Sequence, residues 1–461
     1  MSSNVFLTDV IGKYVEHLRY EDLPSQVVEK AKVHILDSVR CMLGASLTSL
    51  GRSIAENLST WEHGSSTVVG YKRSSSLLTA VYVNSTFANL LDYDDTYIGH
   101  PGATIVPVAL NIGELLHSPG KEAVTAVVLG YEAALRFGLG LRPSVERRYV
   151  HGHGSWQVFG ACVAASKLLG LGADEVANAL SIAAANAPVP SVMKTVYGLT
   201  GPTPCKNNFG TASVVGVLSA FLAKGGLRGP RDIFEGDTGF WRMIGTDRCE
   251  LSREFEDLGR RYVIMNVAFK PYPCCRLIHS SIDAFLECVK HYSIEVDSIE
   301  RVVVRAIPVL SKHPFTNSSP RDIFEAQFSI PYAIACAARN AEAVDVCSSE
   351  DSLKDSKISE LSKRIFIESV PEFDEEFRKD PGRIPAEVVI YLRNKEYRCK
   401  VDVPRGDPRN PLPPEVLVSR FRAVALKVLK REGKVTALIN SILELDRLSD
   451  VEDLTAMLIP D

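Results

Sequence analysis

Ten cysteines occur in this chain but no CxxC pair, and the one adjacent pair, Cys274-Cys275, has a spacing that strains a disulfide. A zinc or iron–sulfur centre needs spaced ligands that are missing here, so no metal is expected and the thiols read as free in a reducing cytoplasm. Glutamine is almost absent: Gln26, Gln157 and Gln327 are the only three, a trait of heat-loving hosts. There is no dense Lys/Arg run, and a net charge of -4 gives no global pull on nucleic acid or an anionic membrane. No basic segment followed by a long apolar core opens the chain, so no signal peptide is expected. The longest uncharged stretch, about 176–193, holds two prolines and falls short of the ~20 strongly apolar residues that span a bilayer. P-loop and GxSxG signatures are missing, and the glycines of GHGSWQVFG follow no strand, which excludes a dinucleotide fingerprint. The partners left are small molecules and copies of the chain itself.

Of what is present, helical periodicity dominates up to about residue 260. In LPSQVVEKAKVHILDSVRCMLGA, Val27, Ala31, Ile35, Val39 and Leu43 recur every four residues as one apolar stripe, with Pro24 just inside its start and Gly44 near its end. Similar segments follow at about 76–95, 103–117, 121–140, 157–170, 173–187 and 211–224, many rich in the Ala and Gly that let helices pack closely. After about residue 265 the pattern changes. SIERVVVRAI reads as a strand and AEVVIYLRNKEYRCKVDVP as a hairpin turning near Asn394-Lys395, with helical patterns at about 277–291, 321–339 and 356–365. RGDPRNPLPP then forms a stiff linker, and VLVSRFRAVALKVLK is helical again. The fold class expected is mainly α. A large all-helical domain takes residues 1–266, a smaller inserted α+β domain takes 267–404, and a C-terminal segment, 405–461, returns to the helical domain. An insertion facing a helical body creates a cleft, a common place for a ligand.

Five segments carry candidate chemistry. In LDYDDTYIGHPGATIVPVALNIGE, continuation of the preceding helix puts Asp92, Asp95 and Thr96 on one face, with Asp94 pointing elsewhere, before Gly99 and Pro101 break it at an extended His100. Such a set suits proton transfer, or is a solvated helix end. YVHGHGSWQVFGACVAAS places His151 and His153 around Gly152 in a loop, for acid–base work, anion binding or loop structure. Lys206 in TGPTPCKNNFG stands just before an apolar helix, as a cation for a substrate carboxylate or as a solvated lysine. In FKPYPCCRLIHSSIDAFLE the prolines hold 270–275 extended, and His279 falls in the first turn of a helix whose positive end disfavours imidazolium; Lys270 and Arg276 supply charge nearby. In PRDIFEAQFSIPYAIACAA, Pro331 is expected to kink a helix and reorient Tyr332, a hydrogen-bond donor or a core tyrosine.

Taken in order, LDYDDT…HPG, the histidine loop, the lone lysine, KPYPCCRLIH and EAQFSIPYAIA resemble the successive signatures of the MmgE/PrpD family. LPSQVVEKAKVHILDSVRCMLGA and NPLPPEVLVSRF are similar to that family's opening and closing segments, so the resemblance covers nearly the whole chain. It implies a helical domain with an α+β lid, a homodimer, and a reaction without cofactor on a small polycarboxylate. It also implies a cleft lined by Asp92, Thr96, His100, His151, Lys206, His279 and Tyr332, with Asp95 and Lys270 as second choices and His151 preferred to His153. The resemblance favours dehydration or hydration of 2-methylcitrate or citrate, then epimerisation of a substituted succinate, then decarboxylation of cis-aconitate; a catalytically silent binding protein is the non-enzyme alternative. Departures bear on this ranking. Cys275 stands where the decarboxylase branch has histidine, Gly152 and His153 replace the family's usual Pro and Thr, and the stretch from Thr96 to His100 is shorter than in the methylcitrate branch.

Overall fold

The computed structural model describes residues 5–60, 62–144, 152–339, 349, 351–393 and 395–461. Ten helices come first: α1 (Leu7–His17), α2 (Ser25–Ser46), α3 (Ser49–Ser59), α4 (Leu77–Leu90), α5 (Pro101–Leu115), α6 (Gly120–Leu141), α7 (Gly154–Leu168), α8 (Ala173–Ala185), the short α9 (Val192–Thr195) and α10 (Phe209–Lys224). The apolar stripe of α2 is buried along its whole length, from Val27 to Leu43. Helix α5 is buried on every side from Pro101 to Glu114, which explains its composition of Ala, Val, Ile and Gly. Where α6 crosses α7, a Cβ added at Gly160 would come within 2.7 Å of the Gly130 carbonyl oxygen, so only glycine allows this approach. One helix, α6, is long and apolar enough to cross a membrane by composition, yet 94% of its apolar window is buried inside the protein. The core of a large helical body accounts for it.

Helices Pro414–Leu429 and Glu432–Leu443 bring Phe421, Val424, Leu438 and Ile442 into the same core as Ile35 and Val39. A second core gathers residues between Tyr272 and Val401 together with Val196. Apart from the short ladder of β1 (Ser66–Thr67) and β2 (Ser74–Ser75), the strands belong to this part: β3 (Arg301–Ala306), β4 (Ile365–Ser369), β5 (Ala386–Leu392) and β6 (Lys395–Val401) form one sheet in the order β4-β3-β5-β6. The hairpin pairs Leu392 with Lys395, while Asn394 at its turn lies outside the described residues. Helix His279–His291 and helix Ile330–Arg339 pack Ile282, Phe285 and Ile334 with Val302, Val304 and Ile390.

Three local expectations are corrected. Helix α4 stops at Leu90 rather than continuing to 95, because Asp92 turns the chain into the left-handed region at φ 50°. The expected 321–339 helix is two helices, Ile323–Ala326 and Ile330–Arg339, and Pro331 sits in the first turn of the second, where a missing N–H costs no helical bond; it starts a helix instead of kinking one. The 356–365 helix ends at Ser362, and strand β4 and helix Pro371–Lys379 follow it without having been foreseen.

Candidate active site

The end of α4, the loop to α5, the loop before α10 and the segment 270–279 converge on Asp92. Its backbone turn is closed by Asp92 N donating to Asn89 O at 2.9 Å. The loop that follows pairs with the lysine segment, since Thr96 and Ala268 exchange backbone hydrogen bonds of 3.0 and 3.1 Å. That pairing sets Lys270, two residues on, beside Asp92. Lys270 Nζ donates to Asp92 O at 2.8 Å and Oδ1 at 2.9 Å, and stands 4.0 Å from Asp94 Oδ1. Lys206, from the loop before α10, stands 3.3 Å from Asp92 Oδ1. Asn208, left-handed at φ 55°, turns its loop into α10. Asp92, Lys206 and Lys270 are all buried, at 2%, 3% and 1% exposure, so the cluster is closed to solvent.

Charge in so dry a place is sorted by partners. Burial alone would raise the Asp92 carboxyl, but Lys206, Lys270 and His100 outweigh it and hold it well below the ordinary carboxylate range. Burial works against the Lys270 ammonium too, and Asp92 with Asp94 more than compensates, so its pKa is raised. Lys206 is lowered, by burial and by the charge of Lys270, against the pull of Asp92. The two lysines are thus unequal: one ammonium is fixed, the other is looser.

His100 is presented at the start of α5 by a glutamine clamp. Gln157 Oε1 accepts from His100 N at 3.1 Å, and Gln157 Nε2 donates to His100 O at 2.6 Å. The imidazole Nδ1 faces Asp94 Oδ2 at 3.1 Å. Asn89 Nδ2 donates to Asp94 Oδ1 at 2.9 Å, and Asn89 is itself held by Asn207 Nδ2 at 2.8 Å. Asp94 therefore belongs to the site, contrary to the expectation that it points away; that expectation assumed a helix through 92–96. The same turn sends Asp95 out of the cluster. It accepts from Tyr131 Oη at 2.6 Å and Gly102 N at 2.9 Å, with His34 Nδ1 at 2.6 Å, in the interior behind the site.

His151 lies outside the described residues. His153 caps α7 with its ring 5.5 Å from that of His100. Thr96 spends its hydroxyl on Gly99 O at 2.9 Å, holding the loop. His279 opens its helix as expected but has both ring nitrogens engaged, Nε2 donating to Cys274 O at 3.1 Å and Nδ1 receiving Arg276 at 3.5 Å. Burial, then the charges of Arg276 and Lys270, keep it well below its ordinary pKa, so it is a neutral brace for the cysteine turn rather than an exposed acid or base. Arg276 is directed at the 404–407 segment, with Nη1 on Arg405 O at 2.8 Å, rather than at the cluster. Tyr332 is 4% exposed within the second core. Cys275 is half-buried, its thiol pushed up to about 11 by burial and the charge of Asp92.

Two residues that composition alone did not single out complete the set, Gln327 and Asn89. Gln327 Oε1 accepts from Lys206 Nζ at 2.8 Å. As for metals, Asp92, Asp94 and His100 offer ligand atoms within 4.8 Å of one another. Two ammonium groups already supply the positive charge there, and a dication would have to be inserted against both. A second trio, His117, Asp450 and Glu452, lies apart near the surface. A groove of about 540 Å³, lined by Ile54, Leu58, Leu78, Tyr82 and Val214, lies on the outside of α3, α4 and α10 and holds no titratable group but the tyrosine.

A pH test follows for Asp95. Full burial, with Asp94 beside it, pushes its carboxyl up to about 7 against the hydrogen bonds it accepts from Tyr131 and Gly102. The folded protein then keeps a proton that the unfolded chain releases near pH 4, so this group's contribution to stability falls as pH rises from about 4 to about 7. Asp95→Asn should remove that slope. Melting temperatures of wild type and variant at pH 5 and pH 8 check it, and equal slopes would sink the assignment.

Comparison with known proteins finds matches along most of the chain. Residues 9–251 match the MmgE/PrpD N-terminal domain and residues 272–445 match the MmgE/PrpD C-terminal domain. Over 98% of its length the chain is similar to cis-aconitate decarboxylases. It is 26% identical to that of Aspergillus terreus (strain NIH 2624 / FGSC A1156), and 27% identical to those of Mus musculus and Homo sapiens, covering 96%, 93% and 94% of those chains.

Proposed function

Because the chain belongs to the MmgE/PrpD family, we propose that it is a cofactor-independent lyase that moves a proton at a carbon next to a carboxylate of a small tricarboxylate. The observation that carries this reading is the buried group in which two ammonium ions share one carboxylate, 2.9 and 3.3 Å from Asp92 Oδ1. A C–H beside a carboxylate is a very weak acid, and negative charge building on the carboxyl oxygens must meet preorganised cations. Lys206 and Lys270 are those cations. Asp92, held ionised between them, is too weak a base for the task. His100, held by Asp94, is the base this reading prefers, with His151 as the alternative.

In the favoured reaction the base takes the proton from carbon, the C–O bond to the β-hydroxyl breaks, and a C=C bond forms. The hydroxyl leaves as water with a proton from Lys206, whose burial loosens it, or from Tyr332. Citrate or 2-methylcitrate is the substrate proposed. The residues 267–404 act as a lid, since the cluster is sealed and a substrate enters only if the two cores part. A second reading, decarboxylation of cis-aconitate, is favoured by the names of the relatives. Against it stands Cys275, a thiol that at about 11 is a poor proton donor beside the cluster. Epimerisation of a substituted succinate would use the same proton transfer without loss of water. Residues 405–461 rejoin the helical body in this scheme, and a homodimer is the assembly proposed.

The test is to incubate chelator-treated protein with citrate, 2-methylcitrate and cis-aconitate, following ultraviolet absorbance of the alkene, release of CO₂ and exchange of deuterium into a substituted succinate. Alkene formation or consumption without CO₂, undiminished by chelation, is the expected outcome. CO₂ release from cis-aconitate would establish the second reading instead, and exchange alone would favour epimerisation. Silence in all three assays would remove the tricarboxylate proposal.

A further inference from the structure

We propose that Gln327 is a positioning residue that sets the direction and the proton affinity of Lys206. The inference rests on the proposed role of Lys206 as the cation that meets the substrate. Gln327 occupies the gap between helices Ile323–Ala326 and Ile330–Arg339 and is 2% exposed. Its side-chain amide is oriented without ambiguity. Nε2 donates to Leu90 O at 3.0 Å, which turns Oε1 toward Lys206 Nζ at 2.8 Å. Its backbone carbonyl accepts from Cys275 N at 2.8 Å. One residue thus ties together the end of α4 two positions before Asp92, the lysine loop, and the cysteine turn. The next residue reinforces the contact, with Lys206 Nζ 5.0 Å from the centre of the Phe328 ring.

The chemistry of an amide suits this place better than that of a carboxylate. Lys206 already shares Asp92 with Lys270, and a second anion would neutralise the charge a substrate carboxylate is to meet. A neutral acceptor directs the ammonium and leaves its charge unspent. The flanking residues Ala326 and Phe328 belong to the second core, whereas Leu90 belongs to the first. Ile323 and Phe324 of the same short helix also belong to the first core, so Gln327 sits at the seam between the two. In a chain with three glutamines, the two in this region are both buried clamps, Gln157 on the His100 backbone and Gln327 on the Lys206 ammonium.

The test uses Gln327→Met, which removes the acceptor, and Gln327→Glu, which makes it anionic. Lysine-labelled protein is titrated by NMR through the side-chain 13Cε and 15Nζ shifts, the Lys206 signal being identified by its loss in Lys206→Arg. The Lys206 midpoint should move down by about one pH unit in the first variant and up by about one in the second, the scale of one hydrogen bond to a charged group. A structural role alone would not move the two in opposite directions. If either variant fails to fold, the direction of the other still decides. Unchanged midpoints, or a shift of the same sign in both, would overturn the proposal. Calorimetric titration with a non-reactive tricarboxylate, propane-1,2,3-tricarboxylate, separates it from the functional reading. Opposite midpoint shifts in a wild type that binds no tricarboxylate would leave Gln327 in this role and remove the substrate class.

Discussion

Lys206→Ala is expected to lower kcat/KM by about 10²–10³-fold, the scale of losing one preorganised donor to a developing oxyanion, while the fold survives. The two halves of that expectation come from the inequality of the lysines. Lys270 gives Asp92 two hydrogen bonds, to its carbonyl at 2.8 Å and to Oδ1 at 2.9 Å, so the carboxylate keeps a buried partner when Lys206 is gone. Lys206 itself is a buried cation whose desolvation lowers its pKa, so its removal also relieves a cost. What disappears is the cation proposed to meet substrate. Steady-state kinetics beside thermal unfolding would show it: a large fall in turnover with a melting temperature near that of the wild type. Near-normal turnover would refute the role of Lys206. A large drop in melting temperature would show instead that it serves the fold.

The sequence made the helical body legible because its signal is repetitive. The stripe of α2 and the all-round apolarity of α5 and α6 each span more than ten residues and agree with burial. The sheet was half legible. Strands β3 and β5 are runs of Val and Ile, but β4 pairs on one side only, with β3, and leaves Phe366 52% exposed, which blurs its pattern. Within the site, His100, Lys206 and Lys270 could be named because each stands near a Gly, a Pro or a helix start, and Asp92 because it opens a run of carboxylates. Asp94 and Asp95 were exchanged. Their roles depend on the sign of one backbone angle, φ 50° at Asp92, and a DYDD run does not reveal where a helix stops. Gln327 acts through a partner more than a hundred residues away in sequence, Lys206, and Asn89, which holds nearby Asp94, is itself fixed by one as distant, Asn207, so local pattern carries little trace of them.

The corrected place of Asp94 leads to the largest effect expected. The proposed base, His100, has Nδ1 against Asp94 Oδ2 at 3.1 Å, and a carboxylate can only accept. Asp94 is nearer to Nδ1 than the Asn89 amide at 3.3 Å, and as the charged partner it holds the ring proton on Nδ1, so chemistry falls to Nε2, which carries the lone pair a base needs. Asp94→Asn keeps the volume and the hydrogen bond but allows the amide to donate to Nδ1, which moves the ring proton to Nε2. The base is then lost without being removed. A fall in kcat of about 10²–10⁴-fold is expected, the worth of a positioned general base. The neighbouring Asn89, donating to Asp94 Oδ1 at 2.9 Å, can accept from the new amide only by turning its own, which Asn207 resists through a 2.8 Å bond. Asp94→Asn should thus lose activity with the Lys206 and Lys270 pair intact, so tricarboxylate binding by calorimetry stays within a few fold of wild type. Equal loss of binding and turnover would mean that Asp94 serves the charge balance around Lys270, 4.0 Å away, rather than the tautomer of His100. Retained turnover would move the base to the loop of His151.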